Sequence, residues 1–333
     1  MIDMKKLFSF NSELNKVTGV QKVLLDIHHA VKDTYNAKIV GTIPYGQVNK
    51  NHGITQSEYI QFKNPFIFYN SIVIVHERKF LLMFWLMNHL LFQRIKLVYV
   101  HHNVLYGMKR LTFIPKTVVA ISDSGIQNLM EYFKVPQGNI HKIHNCVTDI
   151  HPRERIYTIK DKNITLLYPA RINSVKRQVE IYRKLKGKLN SNIHILFAGE
   201  GPFLETLREE VKEDERFTCL GFRKDVTDLL QKYDYMMLFS SQEGLPITLI
   251  EAAMCATPII CNDVGGNCEI AHNGQNAFVV SNWDELIQCL NSLQNVSHED
   301  YLKMAMHSRR IYEENFTFEK FKDSYLKLLS TLE

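Results

Sequence analysis

The feature that most constrains this chain of 333 residues is an alternation, almost end to end, of short β-branched runs with helix-period segments. Apolar runs at Leu7–Phe10, Ala37–Val40, Ser71–Val75, Ile95–Val100 and Thr117–Ile121 read as strands. Helical patterns lie between them at Val20–Lys32, Lys79–Phe92 and Asp123–Phe133, the last opened by Ser122 as an N-cap. Strands without polar alternation, separated by helices, are buried on both faces, which predicts a parallel sheet with crossover connections. The pattern breaks at Thr148–Asn163, a polar stretch with one proline that reads as a linker.

It then restarts, with strands at Ile164–Tyr168, Ile193–Ala198, Thr218–Leu220, Tyr235–Leu238, Pro258–Cys261 and Ala277–Val280. Helices are expected at Gln178–Leu189, Phe203–Lys212, Asp225–Lys232, Pro246–Ala256 and Trp283–Leu293, followed by two more. The fold class is therefore α/β, with two Rossmann-like domains facing across a cleft and ligands at the carboxyl ends of the strands. The expected division is 1–150, 151–315, and a final helix over 316–333 that crosses back to the first domain.

Charge separates the two halves. Residues 1–150 hold 17 Lys+Arg against 9 Asp+Glu, whereas the remainder holds 23 against 26. A basic front half meets an anionic ligand or surface, or else carries scattered solvated lysines. The six cysteines form no Cys-x-x-Cys pair, so neither a zinc ribbon nor a redox motif is expected, and sparse thiols fit a reducing cytoplasm. Lys5-Lys6 is followed by too short an apolar run for a signal peptide. The run Phe80–Phe92, FLLMFWLMNHLLF, is 13 residues long, whereas a spanning helix needs about 20. Apolar all round, it is expected to be buried between other elements; a membrane-facing surface is the alternative, because Arg78, Lys79, Arg94 and Lys96 flank it.

Chemistry concentrates in the back half. In Phe239-Ser-Ser-Gln-Glu-Gly-Leu-Pro-Ile-Thr-Leu-Ile-Glu251 a strand ends, a loop carries Glu243 and Gly244, and Pro246 opens a helix. The backbone amides of Gly244, Leu245 and Ile247 then stand at a helix N-terminus, in outline a phosphate cradle. Glu251, inside that helix, needs a partner if buried; it accepts either from a ribose diol or from solvent at a helix edge. Arg171 and Lys176 straddle the turn after Ile164–Tyr168, and a guanidinium with an ammonium suits a diphosphate. Gly199 and Gly201 in Ala-Gly-Glu-Gly-Pro begin a dinucleotide fingerprint, but Leu204 stands where its third glycine would be. In the front half, Gly19 lies in the loop after the first strand, and His101 and His102 stand at a strand end, where a histidine is either a hydrogen-bonded structural group or a catalyst. Without an Asp-x-Asp clamp, no metal or other cofactor is expected.

In this order, Ala170-Arg171…Lys176, Gly199-Glu-Gly-Pro202, Leu220-Gly221, Glu243-Gly-Leu-Pro…Glu251-Ala-Ala and Pro258…Gly265-Gly266…Glu269 resemble a glycosyltransferase of the GT-B fold, family 4 of the retaining nucleotide-sugar enzymes. The resemblance covers nearly the whole chain. It implies that Arg171 and Lys176 hold the diphosphate of a UDP- or GDP-sugar, that Glu251 binds the ribose hydroxyls and that Glu243 lies near the sugar. The amides of Gly244, Leu245 and Ile247, with Pro246 between, complete the site, Gly19 approaches it, and His101 or His102 matches the front-domain histidine. Arg223, after Leu220-Gly221, is a candidate base contact. The chain departs from the family at Thr18-Gly19, where many members carry two glycines, and at Asn145-Cys146-Val147 in place of Asn-Gly-Val.

The resemblance implies sugar transfer to a saccharide or lipid-diphosphate-linked acceptor in cell-surface glycan biosynthesis. The expected place is the cytoplasm, peripheral on an anionic membrane, with no nucleic-acid partner. A sugar-nucleotide 2-epimerase, a nucleotide-dependent oxidoreductase and a non-catalytic nucleotide- or glycan-binding scaffold stay open as alternatives.

Overall fold

The computed structural model describes residues 5–151 and 163–332, so most of the expected linker lies outside the described residues. The chain divides into two compact units, one of residues 1–146 with 318–333 and the other of residues 147–317.

Unit 1 is a seven-stranded parallel sheet. Its strands are β1 (Lys6–Phe10), β2 (Asn36–Gly41), β3 (Tyr59–Gln61), β4 (Ile72–Val75), β5 (Lys96–His101), β6 (Thr117–Ala120) and β7 (Ile140–Lys142), in the spatial order β3-β2-β1-β4-β5-β6-β7. Ile72-Val-Ile-Val75 is buried throughout, as a central strand covered on both faces must be. The core on one face is aromatic, with Phe8 and Phe84 both edge-on to Phe68 at ring distances of 5.3 and 5.2 Å. Helix α1 (Gly19–Val31) begins at Gly19 itself, which corrects the loop placement: Thr18 is the N-cap and its hydroxyl donates to the Gln21 side chain. Ser122 does cap α3 (Asp123–Gln127), accepting from the Gly125 amide at 3.1 Å, but that helix widens into a π turn over Asn128–Tyr132.

Helix α2 (Leu81–Leu90) corrects the burial expectation for the apolar run. Only Leu81, Phe84 and Met87 are buried, one stripe at threefold spacing; Leu86 and Leu90 on the helix, and Leu91 and Phe92 after it, face outward. Among the described residues no helix is long and apolar enough to cross a membrane.

Unit 2 is a six-stranded parallel sheet of β8 (Ile164–Pro169), β9 (Ile193–Ala198), β10 (Phe217–Gly221), β11 (Tyr235–Leu238), β12 (Ile259–Asn262) and β13 (Ala277–Val280), in the order β10-β9-β8-β11-β12-β13. The crossovers are α4 (Gln178–Leu185), α5 (Leu204–Val211), α6 (Val226–Lys232) and α7 (Ile247–Met254), followed by α8 (Trp283–Ser292) and α9 (His298–Asn315). The buried Tyr235-Met-Met-Leu238 lies in the middle of this sheet. After α9 the chain returns to unit 1 as α10 (Phe318–Ser330), which packs on α1 through a face that buries Phe321, Tyr325, Leu328 and Leu329.

Each order reverses once, between β1 and β4 in unit 1 and between β8 and β11 in unit 2. In open parallel sheets the connections diverge at such a point and leave a crevice at the carboxyl edge, where ligands bind.

Candidate functional site

In unit 2 the crevice at β8 and β11 is framed by three loops tied to one another. Tyr168, buried near the end of β8, donates its hydroxyl to the Lys176 carbonyl at 2.7 Å and accepts from the Phe239 amide at 3.1 Å. The Ser241 amide donates to the Val175 carbonyl at 2.8 Å, which joins the same two loops again. The loop after β12 is fixed by Asn262, whose amide side chain donates to the Ser240 carbonyl at 2.7 Å and accepts from the Ser240 amide at 3.1 Å. Gly266 then donates to the Gly244 carbonyl at 2.6 Å. Gly265 sits at φ +63°, and a Cβ there would strike the Glu243 carbonyl, so glycine is required on both counts.

This framework holds a charge pair. Nζ of Lys176 donates to Oε1 of Glu243 at 2.5 Å, with Glu243 only 7% exposed. A buried carboxylate is tolerated when a cation and hydrogen bonds replace its water, and Lys176 supplies that here. Glu243, Gly244, Leu245 and Pro246 are all buried directly ahead of α7, which starts at Ile247 with Pro246 as its N-cap. Pro246 provides no side-chain cap, and the first-turn amides of a helix have no acceptor within it. The apolar character of α7 keeps its axis in the core, so the positive end of its dipole meets the pair at the sheet edge.

The remaining predicted residues fall around this centre unequally. Arg171 is exposed, with no ion pair among the described residues. Glu251 is half-buried, at the fifth position of α7. Arg223 is held in a two-pronged ion pair with Asp225, Nε to Oδ1 at 2.7 Å, so a base contact would compete with that carboxylate. Gly199 and Gly201 have a steric reason for being glycine: a Cβ on either would collide with the carbonyl oxygen of Ala170 or Ile172. There the β8 and β9 chains run on side by side past the strands, with Ala170 bonded to Ala198 at 3.0 Å and Ile172 to Glu200 at 2.9 Å.

Sequence reasoning did not single out Tyr168 or Asn262, since a tyrosine in one apolar strand and an asparagine at the end of another read as ordinary. It also gave no role to Arg177, the neighbour of Lys176. The structure separates them: Arg177, at φ +60°, lays its guanidinium 4.5 Å from the Trp283 ring and 5.4 Å from that of Phe239, and pairs with Glu180. That anchorage fixes the turn on which Lys176 stands.

In unit 1, His101 and His102 are both buried but differ in their partners. His101 has both ring nitrogens engaged, Nδ1 3.2 Å from the Tyr99 hydroxyl and Nε2 3.0 Å from Oδ1 of Asn128. Asn128 also accepts from the Leu105 amide and donates to its carbonyl, so His101 belongs to a structural network. His102 stacks on His76 at the end of β4, with ring centres 5.2 Å apart. Desolvation pushes His101 down to about 4 and His102 down to about 3, so both rings are neutral at pH 7.

Residues 150–309 match the family described as glycosyl transferases group 1. The chain is 26% identical over 222 residues to N-acetyl-alpha-D-glucosaminyl L-malate synthase of Bacillus anthracis, covering 62% of this chain and 58% of that one. It is 22% identical over 214 residues to an Escherichia coli UDP-Gal:alpha-D-GlcNAc-diphosphoundecaprenol alpha-1,3-galactosyltransferase, covering 60% and 55%. The matched stretches thus span less than two thirds of these relatives' own lengths. Among solved structures, Anabaena Alr3699/HepE in complex with UDP superimposes with a TM-score of 0.83 at 18% identity, over 98% of this chain and 100% of that one. At that identity the likeness speaks for the fold, two parallel α/β units in one chain. The fold is thus the GT-B architecture of these structural neighbours, and residues 150–309 match the glycosyl transferases group 1 family.

Proposed function

We propose that the protein is a retaining glycosyltransferase that moves a sugar from a UDP- or GDP-sugar to a saccharide or lipid-linked acceptor in cell-surface glycan biosynthesis. The observation that carries this reading is the Lys176–Glu243 pair, set at the β8/β11 reversal directly before the α7 N-terminus, inside the segment that matches glycosyl transferases group 1. A relative acting on a diphosphoundecaprenol-linked sugar and a neighbour binding UDP point to the same substrate classes.

The chemistry follows from what must be stabilised. Cleavage of the anomeric C–O bond builds negative charge on the departing diphosphate, and preorganised cations and helix amides offset that charge without reorganising. Arg171 has no competing carboxylate among the described residues; Lys176 exchanges Glu243 for a phosphate oxygen; the Ile247 amide adds a donor at the helix end. Glu243, released from Lys176, is then positioned toward the sugar, and Glu251 accepts from the ribose hydroxyls. In a retaining transfer the acceptor oxygen bonds to the anomeric carbon on the face the diphosphate leaves, and its proton passes to a donor phosphate oxygen. No metal is assigned a role, because these groups carry the charge. Peripheral contact with an anionic membrane belongs to the same reading, as a lipid-linked acceptor resides there.

The test is a thermal-shift panel of UDP, GDP and ADP and their sugars on the wild type, Arg171→Ala and Glu251→Ala. Stabilisation by one uridine or guanosine ligand, lost in both variants, supports the reading. Wild-type donor binding and transfer in both variants would refute it. An epimer formed from UDP-sugar without acceptor would move the chain to the epimerase alternative.

A further inference from the structure

The basic excess of residues 1–150 has a definite location. Residues 78–116 contain seven Lys and Arg and no Asp or Glu, which accounts for most of that excess. The same segment holds the most exposed large apolar side chains of unit 1: Phe92 at 77%, Tyr106 at 70%, Leu90 at 68% and Met108 at 66%. The sequence suggested only the helical run as a surface; the structure joins to it a second segment.

The chain after β5, residues 104–116, lies along the outside of α2. At one end Nη1 of Arg78 donates to the Gly107 carbonyl at 2.9 Å. Farther along, Phe113 stacks on Trp85 at a ring distance of 4.7 Å. Tyr106, Met108 and Leu111 on this segment and Leu90, Leu91 and Phe92 at the α2 end thus project from one continuous strip. Arg94, Lys109, Arg110 and Lys116 stand exposed within or beside it. Phe92, Arg94 and Met108 hold left-handed backbone conformations that non-glycine residues rarely adopt. The strip therefore keeps apolar side chains in solvent at a local conformational cost, the pattern of a surface with a partner.

We infer that this strip, the outer face of α2 with the 104–116 segment, is an interfacial surface that seats unit 1 on an anionic lipid bilayer. Apolar side chains entering the acyl boundary with cations at phosphate level is the arrangement such a surface requires. A second copy of the chain fits less well, because two strips carrying cations and no carboxylates repel. The inference deepens the membrane contact of the proposed function by naming its surface.

The experiment is co-sedimentation of the full chain with phosphatidylcholine vesicles, with or without about one third phosphatidylglycerol, at low and high salt. Binding to the anionic vesicles alone, weakened by salt and reduced at least tenfold in both Leu90→Ser/Phe92→Ser and Arg94→Glu/Arg110→Glu, is expected. Both variants change exposed residues, and circular dichroism checks that each is folded. No binding at low salt overturns the inference, as does binding that folded variants retain. A concentration-dependent dimer abolished by Leu90→Ser/Phe92→Ser, with no vesicle binding, assigns the strip to self-association. Vesicle binding involves no transfer chemistry; donor binding measured on the same preparation tells failure here from failure of the glycosyltransferase reading.

Discussion

Nδ1 of His76 lies 3.0 Å from Nε2 of His102, and the other nitrogen of His76, Nε2, is buried with no hydrogen-bond partner among the described residues. The orphan decides which ring donates. If His102 gave the proton, Nε2 of His76 would carry an N–H with no acceptor, a rarer and costlier defect than an unpaired acceptor. His76 therefore donates from Nδ1, and His102 keeps its own proton on Nδ1. Long-range 1H–15N correlation of histidine-labelled protein should show His102 protonated at Nδ1, and His76→Phe should release that preference; a His102 proton found on Nε2 contradicts the assignment.

Acid should weaken unit 1 selectively. His101 and His102 are lowered to about 4 and about 3 by burial, so between the unfolded value near 6.5 and these values the unfolded chain binds protons that the fold refuses. Stability is present above pH 6.5 and is lost as pH falls, by about 1 to 2 kcal/mol per ring at pH 5. The two tryptophans separate the units: Trp85 lies in unit 1 and Trp283 in unit 2. In Trp283→Phe, the Trp85 fluorescence transition should shift down between pH 7.5 and 5; His101→Asn should reduce the shift.

Lys176 and Glu243 should respond differently to removal. Lys176→Ala leaves a buried carboxylate alone and removes the cation proposed for the diphosphate, so it should cost about 2 to 4 kcal/mol of unit 2 stability and weaken UDP or GDP binding. Glu243→Gln frees Lys176, so nucleotide binding should hold or tighten while transfer falls by about two orders of magnitude. Isothermal titration with nucleotide, set beside turnover, reads the split; parallel losses in both variants would remove the exchange of Lys176 between glutamate and phosphate.

Gly199→Ala and Gly201→Ala should destabilise unit 2 by more than about 2 kcal/mol, because each added methyl meets a backbone carbonyl that cannot rotate away. Denaturant unfolding of Trp85→Phe, followed by Trp283 fluorescence, measures it. Unchanged midpoints would show that the β8 and β9 ends part more easily than their hydrogen bonds suggest.

Transfer should survive prolonged treatment with EDTA, since Arg171, Lys176 and the α7 amides are assigned the diphosphate charge. Recovery of lost activity by added Mg2+ or Mn2+ would show that a cation shares that task.

The central strands were legible because buried parallel strands leave uninterrupted apolar runs: Ile193–Ala198 and Tyr235–Leu238 coincide with their expected limits. Tyr59–Gln61 and Ile140–Lys142 were not, being three-residue edge strands whose pairing depends on one neighbour rather than on composition. The uniform hydrophobicity of Phe80–Phe92 carried no period, so its sequence could not say which face is buried. The strand-to-helix turn at Gly244–Ile247 could be read from a strand, a glycine and a proline in series. Tyr168, Asn262 and the stacking of Arg177 on Trp283 could not, because each acts through a contact with residues 22 to 106 positions away.

The packing of α10 on α1 sets an order on biosynthesis. Residues 147–317 are continuous, so unit 2 can close as soon as it clears the ribosome. Unit 1, although made first, waits for Phe321, Tyr325 and Leu329 to cover α1, so its opening 146 residues emerge with an unfinished apolar face. Of the two units, the one whose synthesis starts first is the last to be completed.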